Sequence, residues 1–180
     1  GVRLTRAKAT GEWSGLFIDQ TANITNTQLV GAIIEYGGSA RGSRWHDRYW
    51  TGTVNIYHSA PTIVDGEIAY GKEHGIYMEG SAPVIRGNWL HHNGTLVGHA
   101  DITCDATSTP AIENNQFGPG RDAQRYAVRI SPLAAGDMQG NVFHPGKAVY
   151  ILRGDITRDL TWTHQGEAYY YIQGDMTVAG

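Results

Sequence analysis

Ten consecutive residues, Arg41-Gly42-Ser43-Arg44-Trp45-His46-Asp47-Arg48-Tyr49-Trp50, bring together three arginines, two tryptophans, a tyrosine, a histidine and an aspartate. Flat indole and phenol rings pack against the apolar faces of sugar rings. Guanidinium and carboxylate groups add planar, bidentate hydrogen bonds to hydroxyls or carboxylates. The stretch interrupts a strand pattern over residues 39–52, and a loop inserted into a rigid scaffold is a frequent carrier of binding. Two readings stand side by side. In one, Trp45, His46, Asp47, Arg48, Tyr49 and Trp50 contact a ligand. In the other, Trp45 and Trp50 form a lid on the side of the fold and the arginines are solvated.

A second constellation comes from alternating strands. Phe17, Asn55, Tyr77, Thr103, Arg129, Tyr150 and Tyr170 occupy equivalent outward positions. Strands about 4.8 Å apart would align them as one aromatic and polar strip. Such a strip forms a sugar groove with Tyr77 and Tyr150 as contacts, or it is ordinary side-chain stacking that stabilises a sheet. Sugar hydrolysis needs two carboxylates about 5–10 Å apart. Asp19, Glu79, Asp101 and Asp105 lie near strand ends but fall in different repeats. A lyase needs a basic side chain beside bound calcium. Arg129 is a weak candidate base, since no acidic cluster flanks it, and Asp101 is a weak candidate among the carboxylates.

No metal site emerges from the eight histidines. His91-His92 and His144 would sit two repeats apart, about 9.6 Å, too far to share an ion held about 2 Å from each nitrogen. His144 and His164 fall at matching places in successive repeats but lack a third ligand. No cofactor is implied, although calcium binding by the turn carboxylates Asp65, Asp137 and Asp155 stays open. Cys104 matches the positions of Met78 and Ile130, so it reads as an inward core residue. Trp89 and Trp162 read as surface stacking residues.

The elements that would hold these groups follow from a repeated phrase. Ile63-Val64-Asp65-Gly66-Glu67-Ile68 recurs as Ile85-Arg86-Gly87-Asn88-Trp89-Leu90, Ile112-Glu113-Asn114-Asn115-Gln116-Phe117 and Met138-Gln139-Gly140-Asn141-Val142-Phe143. Apolar residues stand first and sixth, and Gly or Asn fourth. A period in the twenties means stacked units, here coils of a β-solenoid. Before each phrase lies a short strand with alternating polarity. Val54 and Ile56, Ile76 and Met78, Ile102 and Cys104, Val128 and Ile130, and Val149 and Ile151 should point inward. The turn Ser59-Ala60-Pro61-Thr62 returns one repeat later as Ser81-Ala82-Pro83-Val84. In the fourth column, Gly66, Asn88, Asn115 and Asn141 should accept a left-handed backbone and stack as an amide ladder. Ala148–Ile156 matches Ala168–Met176 position by position, Ala148 against Ala168. No convincing amphipathic helix is visible, so crossover βαβ units are excluded.

The N-terminal stretch carries a resemblance. Gly11-Glu12-Trp13-Ser14-Gly15-Leu16-Phe17-Ile18, followed by Leu29-Val30-Gly31-Ala32-Ile33-Ile34-Glu35-Tyr36-Gly37-Gly38, is similar to segments of secreted bacterial parallel β-helix repeat proteins of the pectin-lyase-like class. Tyr170–Gly180 resembles the opening of a further such segment. The resemblance implies a right-handed parallel β-helix and an extracellular or cell-surface location. It implies no single activity, because the class includes lyases, hydrolases, adhesins and non-catalytic spacers.

Bulk properties narrow the partners. A net charge of −3 gives no electrostatic case for nucleic acid. No apolar run of about 18 residues suggests membrane insertion. The single cysteine excludes an internal disulfide. The expectation is one all-β domain, residues 1–180, of about seven rungs with uncapped ends. It would be a segment of a longer protein, able to self-associate end to end. The leading functional reading is a non-catalytic module that binds or presents to polysaccharide. Its rivals are a polysaccharide lyase or glycoside hydrolase acting along the outward strip, and a structural spacer or adhesin repeat.

Overall fold

A computed structural model describes residues 1–22, 26–39, 51–122, 124–166 and 168–179. The chain opens with β1 (Arg3–Leu4), β2 (Leu16–Ile18), β3 (Gln28–Val30) and β4 (Ile33–Glu35). Two coils then repeat one three-strand order: β5 (Gly52–Tyr57), β6 (Thr62–Val64) and β7 (Glu67–Ala69), then β8 (His74–Glu79), β9 (Val84–Arg86) and β10 (Trp89–His91). A third coil follows with β11 (Ala100–Cys104), β12 (Ala111–Glu113) and β13 (Gln116–Phe117). The next holds β14 (Tyr126–Ile130), a single helical turn α1 (Pro132–Ala135) and β15 (Val142–Phe143). The last strands are β16 (Ala148–Ile151), β17 (Gly154–Ile156), β18 (Tyr169–Ile172) and β19 (Met176–Val178).

Every strand pairs in parallel with its counterpart one coil away. The sheets run β1-β4-β7-β10-β13-β15, β2-β5-β8-β11-β14-β16-β18 and β3-β6-β9-β12, with β17-β19 apart. This is a parallel β-helix, and the seven-stranded sheet counts its rungs. Inside, Ile63, Ile85, Ile112 and Met138 stack in the first position of the phrase. Ile68, Leu90, Phe117 and Phe143 stack in the sixth, all nearly inaccessible to solvent. The Phe117 and Phe143 rings lie parallel with centroids 4.8 Å apart. The expected inward residues of the seven-stranded sheet, from Val54 to Ile151, are buried, and Cys104 is among them. Fully burying each such aliphatic side chain contributes about 1.5–3 kcal/mol.

The asparagine column forms a buried ladder. Asn88 Nδ2 donates to Asn115 Oδ1 at 3.1 Å, and Asn115 Nδ2 to Asn141 Oδ1 at 3.2 Å. The same oxygens accept backbone N–H groups from one coil earlier. Gly66 donates to Asn88, Asn88 to Asn115 and Asn115 to Asn141, at 2.9–3.0 Å. Each amide nitrogen also reaches a first-position carbonyl, of Ile63, Ile85 or Ile112, at 2.9 Å. The left-handed backbone, however, belongs to the third column and not the fourth. Asp65, Gly87, Asn114 and Gly140 have φ of 56°, 68°, 53° and 65°. The turn needs one left-handed residue just before the ladder. The asparagine is then free to aim its amide along the stack.

Three further sequence expectations change. The Ser-Ala-Pro turn has a third member, Ser108-Thr109-Pro110-Ala111. Ser59, Ser81 and Ser108 form a second buried ladder, with Ser59 N donating to Ser81 Oγ at 3.3 Å and Ser81 N to Ser108 Oγ at 3.1 Å. The C-terminal match of Ala148 with Ala168 slips by one position in β16–β18, where Val149 pairs with Tyr170. It slips by two in β17–β19, where Gly154 pairs with Met176. A helical turn, α1, precedes the third-sheet position of its coil, where Gln139 alone bridges Glu113 of β12. Ser131 caps it, accepting from Ala134 N at 3.4 Å, and Pro132 starts it.

Candidate functional site

The outward column of the seven-stranded sheet is continuous. Phe17 pairs with Asn55, Asn55 with Tyr77, Tyr77 with Thr103, Thr103 with Arg129 and Arg129 with Tyr150. The next member is Tyr171, not Tyr170. The altered register turns Tyr170 toward the core, where it stacks on Trp162 at 5.3 Å. Trp162 is correspondingly no surface residue: it packs against the core and donates from Nε1 to Pro132 O at 3.1 Å.

The column is not equally open along its length. Asn55 is buried, its amide accepting from Gly52 N at 2.9 Å and donating to Gly52 O at 2.7 Å. Thr103 is also buried, and its hydroxyl lies 2.8 Å from His74 Nδ1. That nitrogen accepts from Ala100 N at 3.0 Å. Burial first, then the charges of His99 and Arg129, push His74 well below the ordinary imidazole range.

Toward the C-terminus the column opens into a cleft of about 400 Å³. It is lined by Ala106, Arg129, Tyr150, Leu152, Arg153 and Gln173. The Arg129 guanidinium lies 5.1 Å from the Tyr150 centroid and donates to Gly98 O at 3.3 Å. Tyr150 stacks on Tyr171 at 5.6 Å, and Tyr126 meets Tyr150 edge-on at 4.9 Å. Burial first, then the Tyr171 and Tyr150 phenols, raise the Tyr126 pKa. The phenol therefore stays neutral and keeps its donor at physiological pH. Two guanidinium groups, a carboxamide and clustered phenols line or border the cleft, with no carboxylate among its lining residues. This set suits a ligand with negative charge and ring faces.

Asp101, a weak catalytic candidate from the sequence, faces elsewhere. It is fully buried, accepting from Lys147 Nζ at 2.8 Å and Asn93 Nδ2 at 3.0 Å, and Lys147 also donates to Gln124 Oε1. Burial raises its pKa against the opposing pull of Lys147. Its geometry is that of an internal tie between coils. Asp19 accepts within its own turn, and Asp105 accepts both within its turn and from the preceding coil. Asp19 takes Thr21 N at 2.9 Å, and Asp105 takes Ser108 N at 2.9 Å and Gly80 N at 3.2 Å. Asp137 is engaged by Arg158 at 2.7 Å. Among the described residues no group of three His, Cys, Asp or Glu side chains is arranged to hold a metal ion. Trp45, His46, Asp47, Arg48, Tyr49 and Trp50 lie outside the described residues.

Tyr77, Arg129 and Tyr150 thus share one column, and Arg129 and Tyr150 share the cleft. Sequence reasoning missed Tyr126, Arg153, Tyr171 and Gln173. The spacing along the Arg129 column offered one signal: Tyr150 follows Arg129 at the same interval at which Tyr171 follows Tyr150. No protein-family model, curated protein or solved structure matches this chain.

Proposed function

We propose that this protein is a non-catalytic β-helix module that binds anionic polysaccharide along the Arg129–Tyr150–Tyr171 side of the helix. The carrying observation is the cleft lined by Arg129, Arg153, Tyr150 and Gln173 without a lining carboxylate. Guanidinium groups form paired hydrogen bonds to sugar carboxylates or sulfates. The tyrosines supply ring faces at successive coils, matching a chain of sugars that runs along the stack. Glycosidic hydrolysis would place two carboxyl groups about 5–10 Å apart across the groove, and the lining offers a binding surface instead. Placement outside the cell or on its surface rests on the resemblance to secreted pectin-lyase-like β-helix proteins.

Calorimetric titration of the wild type with uronate-rich, sulfated and neutral polysaccharides tests the proposal, with product analysis on any ligand that binds. Arg129→Gln/Arg153→Gln should weaken binding to the anionic polymers by about tenfold or more, a loss of at least about 1.4 kcal/mol. Trp45→Ala/Trp50→Ala serves as the parallel arm for the aromatic loop. Unchanged binding in the arginine variant would move the site away from the cleft. Product formation would make the protein an enzyme, and no binding to any polymer would leave the spacer reading.

A further inference from the structure

A different face, formed by β7, β10 and the turns that follow them, carries a chain of titratable groups that the polysaccharide cleft does not use. His91 Nε2 lies 3.1 Å from Glu67 Oε1. His91 Nδ1 lies 2.7 Å from His92 Nδ1. Proton positions follow from chemistry. A carboxylate only accepts, so His91 Nε2 carries a proton. A nitrogen–nitrogen contact of that length needs one proton between the two atoms. With both rings neutral, His92 Nδ1–H donates to bare His91 Nδ1. One added proton is tolerated, because the N–H···N bond survives and the Glu67 carboxylate balances the charge. A second proton sets two N–H groups against each other.

His92 also holds an aromatic pile. Its ring stacks on Tyr70 at 5.3 Å, Tyr70 stacks on Tyr36 at 5.0 Å, and the Arg6 guanidinium covers Tyr36 at 3.8 Å. Tyr36, Tyr70 and His92 all have left-handed backbones, with φ of 58°, 56° and 51°. Bulky residues persist there only where their surroundings hold them. Trp89, nearly half exposed, lies with its ring 3.8 Å from that of His91.

We propose that Glu67, His91 and His92 form an acid-opened clasp. While closed, the histidine pair holds at most one extra proton. Uptake of a second breaks the Nδ1–Nδ1 contact, releases the His92 ring and uncovers Tyr70. The charged neighbours are consistent with this order. Glu67 comes from β7. Glu35 comes from β4, tied to Arg3 of β1 by two bonds of 2.7 and 2.9 Å. Arg121 donates to Tyr70 O at 3.3 Å. On the other side, β13 and the residue after it bring only uncharged Gln116 and Gly118. Burial lowers the His91 pKa, Glu67 opposes it, and the His92 charge lowers it further.

Trp89 reports the event, since an imidazolium quenches an adjacent indole more strongly than a neutral imidazole does. Fluorescence is recorded from pH 8 to pH 4 for wild type and Trp89→Phe, and the difference isolates Trp89. Two steps are expected, separated by more than about one pH unit as for strongly coupled sites. In His92→Asn, which keeps a residue tolerant of the left-handed backbone, the two steps should collapse to one. That step should sit above the lower wild-type midpoint. A single step near the ordinary imidazole value in both proteins would overturn the clasp. Should His92→Asn fail to fold, histidine ¹⁵N chemical shifts of the wild type decide. Independent single-step titrations of His91 and His92 would equally refute it.

Discussion

Replacing Asn115 by leucine tests the ladder on which the coils rest. Asn115 is fully buried at the ladder's centre. Its Oδ1 accepts from Asn88 N at 3.0 Å, and its Nδ2 donates to Ile85 O at 2.9 Å. Leucine leaves the Asn88 N–H without a partner, while Ile85 O loses one of its two donors and keeps the strand pairing of β9 with β12. A buried orphan costs about 1–3 kcal/mol. The Asn88 amide loses one acceptor but keeps Ile63 O and Arg86 O at 2.9 and 3.1 Å, so it adds little. The added apolar burial recovers part of the loss, while a branched side chain in a close stack costs about 1–3 kcal/mol in strain. The sum is a destabilisation of about 3 kcal/mol, or about 6–12 °C in melting temperature for a chain of this length. Urea unfolding followed by far-ultraviolet circular dichroism measures it, with Gln116→Ala on the exposed neighbouring position as a control expected within about 0.5 kcal/mol. Polysaccharide binding by the folded variant should be unchanged. A loss below about 1 kcal/mol would refute the reasoning, because it would mean that the buried amides find partners elsewhere.

Two further outcomes follow from buried charge. Lys147→Met strands the Asp101 carboxylate in the interior, and should cost about 3–5 kcal/mol at pH 7. Burial already raises the Asp101 pKa, so the neutral acid is the form the variant tolerates. The deficit should shrink as pH falls through the carboxyl range, and urea midpoints at pH 7 and pH 4 that show the same deficit would count against the ion pair. His74 titrates in the opposite sense. Its folded pKa lies well below the ordinary value, so its contribution is complete above about pH 6.5 and is lost as pH falls below that. Melting temperature should decline on acidification through this range, and His74→Asn should flatten the profile.

Much of the fold was legible in the sequence because a solenoid writes its contacts as repetition. Ile63, Ile85, Ile112 and Met138 stand in one column of the core and in one column of the aligned phrases. The amide ladder was legible for the same reason. What escaped was conformation that different residues achieve equally well. Asp65, Gly87, Asn114 and Gly140 share a left-handed backbone but no single residue type, so their column carries a weaker sequence signal than the more uniform asparagines beside them. The C-terminal coils misled in another way. Ala148 and Ala168 both precede aromatic and aliphatic runs, yet one additional residue in the turn moves Tyr171 into register with Tyr150. That slip exchanges the inward and outward faces, which is why Tyr170 was assigned to the strip and Tyr171 overlooked. The cleft was only half visible, since Arg153 and Gln173 come from turns that follow the strands, outside the alternation that marks the outward column.

Pairing between coils fixes position by stacking and not by counting residues along the chain. Ile63 lies on Ile85 and Leu29 lies on Ile63, both in register. Yet far more chain separates Leu29 from Ile63 than Ile63 from Ile85. The length of the connection between Gly38 and Thr51 is therefore independent of the lattice on either side of it. Doubling the length of such a connection adds only about 0.6 kcal/mol of closure entropy. The same junction is thus a natural graft point. A foreign peptide spliced there would be carried by the helix while the coils before and after it kept their alignment.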